Sequence, residues 1–300
     1  MPQRDRQPVP RTEATRSWRG PLIVFVAGLA VYGAFHADRL LEASRDNHYV
    51  YLAEAMLDGR LHLDGAPPHR NDWARRDGRW YVSFPPLPAV LMIPGVALSG
   101  LELNDRLYTL PFAAAGPALL FALLQLLVAR GRLRRSRTEI AALTALYGLG
   151  TVYFFSAVQG SVWYTAHMVG GVMLLGFLLA AVDARRPVLA GLFLGLAFAC
   201  RPPMLLAFPF FLYELVRQGA GDDESASWRR ALRGLGLARF ARSLLLFGAP
   251  VAAVLGALMW MNWARFADPF EFGHRYLEVI QAPRIEIGRA LCRERVCHRV

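Results

Sequence analysis

Apolar residues in this chain fall into long blocks that short charged stretches separate. The blocks are roughly 15–23 residues long, which suits a helix that crosses about 30 Å of hydrocarbon. A helix satisfies its own backbone hydrogen bonds inside a bilayer, so each block is expected to be helical. A soluble helical core would show amphipathic stripes, whereas segments such as 169–182 and 243–261 are apolar nearly all round. The pattern predicts a polytopic membrane protein.

The blocks predict an all-α integral membrane bundle of about seven spans. The candidate spans are residues 21–37, 108–128, 140–157, 166–182, 188–200, 204–216 and 244–262. With a cytoplasmic N-terminus, the arginine clusters in 4–19, 130–137, 185–186 and 217–242 all fall on one side, as the positive-inside rule requires. Residues 38–107 then form one long outer loop. Within it, the proline-bracketed stretch 87–98 is short for a span, which favours an interfacial or re-entrant helix.

The charge of the chain fits this topology. The formal net charge is +11, and arginine supplies it because the chain contains no lysine. These arginines lie between apolar blocks and not on one soluble face with interleaved aromatics, which argues against a nucleic-acid partner. The three cysteines, Cys200, Cys292 and Cys297, show neither a disulfide framework nor a metal-ligand spacing. No metal ligands are therefore predicted.

The two ends of the chain are expected to lie outside the membrane domain. Residues 1–20 are typical of a disordered cytoplasmic segment, and the block after them is interpreted as an uncleaved first helix. Residues 286–297 resemble the translation of a sequencing-adapter oligonucleotide; the alternative is a genuine polar tail. The adapter interpretation makes 285–300 non-native, so that the natural protein continues past Arg284. The expected domain is then 21–284, an N-terminal fragment whose own activity is in doubt.

The outer loop gathers the ionisable groups. It carries ten acids and eight arginines, so its charge is nearly balanced. The histidines that precede the suspect tail all fall in it or on the outer side of a span: His36, His48, His62, His69, His167 and His274. Ionisable groups at such places are candidates for function. The outer face is therefore where chemistry is expected.

Several motifs occur in an order that resembles a known superfamily. They are Asp46, Tyr49 and Ala53, then Pro85-Pro86-Leu87, then the glycine-bearing 189–197 followed by Arg201-Pro202, and finally 262–269. This layout resembles the GT-C superfamily of membrane glycosyltransferases, which includes protein O-mannosyltransferases and lipid A aminoarabinose transferases. The resemblance covers about residues 20–280. Three departures are Asn47 where a second acid is usual, Ala267 where glycine is usual, and a smaller number of spans than the family has.

The resemblance implies a GT-C-like fold and transfer of a sugar from a polyprenyl-phosphate donor to an acceptor hydroxyl, with inversion. The reaction would take place on the extracytoplasmic face of the inner (plasma) membrane. Asp46 matches the catalytic base; the alternative is that it caps the following helix. Arg201 is a candidate for the donor phosphate, although an arginine there can also snorkel to the interface.

The remaining predicted substrate-binding residues are His167, His48, Tyr49 and Asp72. His167 is expected to assist Arg201, and Asp72 and His48 to bind the acceptor or a cation. Whether a divalent cation takes part is left open.

Two other classes of function remain as alternatives. A transporter or lipid flippase without transferase activity would favour inverted repeats and interrupted helices in matching positions. No repeat is evident in the sequence, although the break at Arg201-Pro202-Pro203 is a feature that such a protein would use. A membrane scaffold gives no reason for Asp46 or for Arg201.

Overall fold

The computed structural model describes residues 18–221 and 227–278, and α-helix dominates them. Most of the predicted N-terminal segment and the whole suspect tail, with Cys292 and Cys297, lie outside the described residues. The described helices are α1 (Arg19–Phe35), α2 (His48–Leu57), α3 (Leu87–Ser99), α4 (Asp105–Ala129), α5 (Arg137–Leu149), α6 (Val152–Ala157), α7 (Val162–Ala181), α8 (Pro187–Phe198), α9 (Pro209–Gln218), α10 (Trp228–Leu235) and α11 (Leu237–Phe266). The predominantly helical prediction is confirmed.

Three of the described helices are long and apolar enough to cross a membrane. They are α4 with 25 residues, α7 with its 3₁₀ extension to Ala184 (23 residues), and α11 with 30 residues. The apolar helices α1, α3 and α8 are shorter. The structure therefore supports a membrane-associated helical protein, and the count of seven spans stays a prediction.

Two predicted spans are divided in the structure. The block 140–157 breaks at Gly150, after which Thr151 Oγ1 accepts a hydrogen bond from the Tyr153 N–H at 3.1 Å and caps α6. The block 204–216 falls into a 3₁₀ turn, Pro202–Ala207, followed by α9. Proline lacks the N–H that a continuous helix needs; Pro202 and Pro203 directly precede this block, and Pro209 lies within it. The prediction of one continuous helix is wrong for both blocks.

The short proline-bracketed segment of the loop is helical, as predicted. Helix α3 begins at Leu87 after two prolines and contains Pro94. Its first N–H donates to the Ala199 carbonyl oxygen at 3.0 Å, which ties it to the end of α8. Its interfacial or re-entrant position stays a prediction.

Arginine-bearing ends of several helices meet at one end of the bundle. Arg132, just after α4, donates to both carboxylate oxygens of Glu214 in α9, at 2.5 and 2.8 Å. It also pairs with Asp183, which follows α7. Arg239 at the start of α11 donates to Gln218 at the end of α9, at 2.9 Å. We call this end of the bundle the arginine end.

The long predicted loop packs on the opposite ends of the same helices, which we call the loop end. The Val162 N–H at the start of α7 donates to the Asp46 carbonyl oxygen at 2.9 Å. Arg265 near the end of α11 donates from Nη1 to the Val82 carbonyl oxygen at 2.8 Å. The contacts thus place Arg132 and Arg239 at one end of the helices and the loop at the other, while topology and orientation in a membrane stay predictions.

Glycines allow α8 to lie directly against α11. A Cβ added at Gly191 would lie 1.9 Å from the Phe247 carbonyl oxygen, and one at Gly195 would lie 3.1 Å from Val254. Small residues at this spacing let two helix backbones approach closely in membrane proteins. The glycines of the 189–197 motif therefore have a packing role.

The loop end contains a small antiparallel sheet that the all-α prediction missed. Strands β1 (Trp73–Arg76), β2 (Arg79–Val82) and β3 (Leu277–Glu278) are ordered β2-β1-β3. Asp77 and Gly78 join β1 to β2 with φ of 49° and 77°. Positive φ at both central residues makes the tight hairpin turn for which Asp-Gly is favoured. Trp73 and Val82 pack in one core with α2 and α3.

Candidate functional site at the loop end

Asp46 lies between α1 and α2 and is anchored through its backbone to the start of α7. Helix α2 begins at His48 with Asn47 as its N-cap, and no side-chain capping hydrogen bond occurs there within the described residues. The alternative role of Asp46 as a helix cap is thus not supported. Its Oδ1 lies 3.6 Å from His69 Nε2, and its side chain is 23% exposed. The carboxylate is accessible and keeps capacity to accept a proton.

Asp72 is held close to Asp46 by a strained turn. Its φ is 58°, and its N–H donates to the Glu278 carbonyl oxygen at 2.9 Å. Trp163 Nε1 on α7 donates to Asp72 Oδ2 at 3.1 Å. Burial raises the pKa of Asp72, and the nearby negative charge of Asp46 raises it further. Strained residues with perturbed carboxylates are often found at functional sites.

His48 supports the site from within the core. Its side chain is fully buried, its ring stacks on Trp73 at a centroid distance of 4.1 Å, and Nε2 donates to the Asn71 carbonyl oxygen at 3.0 Å. Burial lowers the pKa of His48 to about 4. The predicted role of His48 in binding the acceptor or a cation stays a prediction. Its position indicates a packing role.

His69 is the histidine that lies beside Asp46. Its Nδ1 accepts the Asn71 N–H at 3.2 Å, and its Nε2 lies 2.9 Å from the Arg45 carbonyl oxygen. These partners favour the neutral tautomer with the proton on Nε2. The sequence placed His69 in the outer loop but gave no spacing that singles it out.

Arg201 and His167 form a second group, deeper along α7. Arg201 precedes the 3₁₀ turn after α8, as the Arg-Pro break predicted, and its Nη2 is hydrogen-bonded to His167 Nε2. Since a guanidinium only donates, His167 accepts and its ring is neutral. Arg201 has no carboxylate partner among the described residues. Its positive charge is therefore available to an anion.

Tyr49 links α2 to this second group. Its side chain is 1% exposed, and its hydroxyl finds no hydrogen-bond partner among the described residues. Burial raises the pKa of Tyr49, while the nearby Arg201 charge acts in the opposite direction. A buried hydroxyl without a partner is costly. The hydroxyl is therefore a candidate for hydrogen bonding to a substrate.

One face of α7 connects the two groups. Trp163 holds Asp72, and His167, four residues later, holds Arg201. Residues four apart lie on the same helix face, about 6 Å apart along the axis. Trp163 was not among the predicted site residues, although its position four residues before His167 can be read from the sequence. The structure thus brings together Asp46 and Asp72 in one layer, with Arg201, His167 and Tyr49 in the next.

The motif at 262–269 acts as a structural clamp. Arg265 is buried and donates from Nη2 to Asn262 Oδ1 at 2.7 Å, while its Nη1 holds β2. Asn262 Nδ2 donates to the Pro269 carbonyl oxygen at 3.2 Å. Ala267 ends α11 in the left-handed conformation, with φ of 54°. Glycine adopts that conformation without strain, which explains why glycine is the usual residue in the motif that this stretch resembles.

A metal would need ligands beyond those that the protein gathers. No group of three or more His, Cys, Asp or Glu side chains within 18–221 and 227–278 is arranged to hold a metal ion. Mg²⁺ is commonly held by one or two carboxylates together with phosphate oxygens of a substrate. Asp46 and Asp72 are compatible with that arrangement, and participation of a divalent cation stays a prediction.

Comparisons of the chain with protein-family models, curated proteins and solved structures find no match. The likeness to the GT-C superfamily therefore stays a resemblance that the sequence motifs carry.

Proposed function

We propose that this protein is a GT-C-like membrane glycosyltransferase that moves a sugar from a polyprenyl-phosphate donor to an acceptor hydroxyl. The observation that carries the proposal is the pair of layers along α7. Trp163 positions the carboxylate of Asp72 beside Asp46, and His167 positions the guanidinium of Arg201 one turn deeper. A carboxylate above a cation suits a reaction that removes a proton from one substrate and releases a phosphate from the other.

The chemistry follows from this order of groups. Asp46 accepts the proton of the acceptor hydroxyl while that oxygen forms a bond to the anomeric carbon of the sugar. The bond from the anomeric carbon to the phosphate oxygen breaks, and the polyprenyl phosphate leaves with the electron pair. Arg201 stabilises the charge on the leaving phosphate. One displacement without a covalent intermediate inverts the anomeric centre.

Asp72 and Tyr49 act as binding and positioning residues in this scheme. Trp163 Nε1 donates to Asp72 Oδ2, so α7 orients Asp72 beside Asp46, where it binds the acceptor. The Tyr49 hydroxyl is close to Arg201 and is free to donate to a phosphate oxygen. The two layers are separated by about 6 Å along α7.

The proposal predicts distinct effects for the two layers. With labelled polyprenyl-phosphate sugar and the protein in nanodiscs, we expect Asp46→Asn to abolish transfer but keep donor binding. We expect Arg201→Ala to weaken donor binding. Arg79→Ala, at an exposed position of β2, is the matched control and should change neither. Transfer by Asp46→Asn at the wild-type rate would refute the assignment of the base, and unchanged donor binding by Arg201→Ala would refute the phosphate site.

A transporter or lipid flippase is the second candidate, and the broken helices favour it. The chain is interrupted between α5 and α6 and again between α8 and α9, and such breaks line the binding sites of many transporters. A flippase would move a fluorescent polyprenyl-phosphate lipid across a vesicle membrane without any acceptor, and Asp46→Asn would not stop it. The transferase proposal predicts no such movement.

A further inference from the structure

A cavity of about 100 Å³ lies at the arginine end, beside the ends of α4 and α7. Its polar wall consists of Arg130, Arg185 and Arg186, and its apolar wall includes Leu126, Leu179 and Val182. The apolar wall belongs to α4 and α7, two of the three described helices that are long enough to cross a membrane. The cavity thus joins a strongly basic surface to a hydrophobic one.

The cluster around the cavity carries more positive than negative charge. Asp183 pairs with Arg130 at 2.9 Å and Arg217 at 2.7 Å, and also with Arg132. Its contact with Arg185 is longer, 3.8 Å, and the Arg185 side chain is 65% exposed.

Glu214, which is 1% exposed, is the other acid of the cluster, and Arg132 binds it bidentately. Among the described residues Arg186 makes no ion pair. Five arginines therefore face two carboxylates, which leaves three positive charges.

A strained turn presents the exposed arginines. Asp183 and Ala184 both have positive φ, 59° and 43°, a conformation that L-residues adopt only when their surroundings enforce it. Glu214 enforces it by accepting the Asp183 N–H at 2.8 Å, and Gln218 donates to the Asp183 carbonyl oxygen. The buried acid thus fixes the turn that directs Arg185 and Arg186 to the cavity wall.

We propose that this cavity binds the phosphate group of an anionic membrane phospholipid. Arginine pairs with phosphate oxygens through two parallel hydrogen bonds, and basic pockets between membrane helices on the cytoplasmic side are suited to acidic lipid headgroups. The apolar wall on α4 and α7 gives the acyl chains a surface that a water-soluble phosphate would not need. The lipid site does not depend on the proposed glycosyltransferase activity.

Titration of lipids onto the purified protein, followed by native mass spectrometry, tests the proposal. We expect the full chain to retain one phosphatidylglycerol and to bind phosphatidylcholine much more weakly. At about fivefold for each arginine near a membrane surface, the double variant Arg185→Gln/Arg186→Gln should bind phosphatidylglycerol about 30-fold more weakly. The matched control is Arg134→Gln/Arg137→Gln, which removes two exposed arginines, one between α4 and α5 and one at the start of α5, that do not line the cavity. It should bind like the wild type.

Three results would overturn the proposal. The first is equal affinity for phosphatidylcholine and phosphatidylglycerol. The second is an equal loss of affinity in both double variants, which would indicate general surface charge and no defined site. The third is displacement of the lipid by millimolar inorganic phosphate, which would make this a site for free phosphate. Thermal unfolding of each variant shows whether the fold is retained, and Arg185→Gln alone replaces the double variant if it is not.

Discussion

The buried imidazole of His48 predicts that acid destabilises the loop end. Its pKa is about 4 in the folded protein, because burial disfavours the charged ring, whereas an unfolded histidine has a pKa of about 6.5. Between these values the unfolded chain binds a proton that the folded protein does not. Stability is therefore complete above about pH 6.5 and falls as the pH is lowered toward 4.

The size of the effect follows from the two pKa values. At about 1.36 kcal/mol for each pKa unit, a difference of about 2.5 units lowers the free energy of unfolding by about 3 kcal/mol once His48 is protonated in both the folded and the unfolded protein. At pH 4.5 the folded ring is still mostly neutral and the unfolded ring is almost fully charged. His48 alone should then lower the free energy of unfolding by about 2.5 kcal/mol relative to pH 7.

Unfolding in mixed micelles at pH 7 and at pH 4.5 measures this loss. Other groups also titrate, so the informative quantity is the difference between the wild type and His48→Gln, which should lose about 2.5 kcal/mol less on acidification. The partly buried His62 in the same loop is the control, and His62→Gln should retain most of the wild-type pH dependence. An identical pH dependence in the wild type and in His48→Gln would refute the reasoning.

Four further substitutions test packing and the site. Gly191→Ala puts a methyl group 1.9 Å from a backbone oxygen of α11, so we expect about 3 kcal/mol of destabilisation in the same unfolding assay. Gly171→Ala, whose Cβ would meet no described atom within 4 Å, should instead stabilise α7 by about 0.5–1 kcal/mol. Ala267→Gly should raise the free energy of unfolding by about 0.5–1 kcal/mol, because it relieves a positive φ; a decrease would contradict the strain. Tyr49→Phe should be neutral or stabilising by about 1 kcal/mol and should weaken donor binding; unchanged donor binding would remove the hydroxyl from the site.

Much of the helical architecture was predictable from the sequence, because apolar blocks report directly on burial in a membrane or a core. The blocks gave α1, α4, α7, α8 and α11 close to their observed positions. The breaks within 140–157 and 204–216 were harder, because apolar composition measures hydrophobicity and not helical continuity. The prolines in and just before the second block were the available signal. In the block 140–157, the Gly150-Thr151 pair was the local signal for the break.

The site was predictable in its residue types but not in its pairings. Asp46, Asp72 and Arg201 were singled out, yet nothing in the sequence shows that Trp163 holds Asp72 or that His167 holds Arg201, since these partners are distant in the chain. The small sheet was missed although Asp77-Gly78 is a strong hairpin signal, because the flanking strands are only four residues long. That hairpin is what carries Asp72 to α7.

Helix α7 relates the two proposed sites to each other. Trp163 and His167 hold the loop-end groups near its start, and Asp183 organises the arginine cavity just past its end. Its 20 residues span about 30 Å, which is the thickness of a bilayer core. One phosphate cannot occupy both sites, because each lies at a different end of a rigid helix. If α7 crosses the membrane, a phospholipid at the arginine end and a polyprenyl-phosphate donor at Arg201 lie in opposite leaflets. Loss of phospholipid binding is therefore expected to leave donor binding intact.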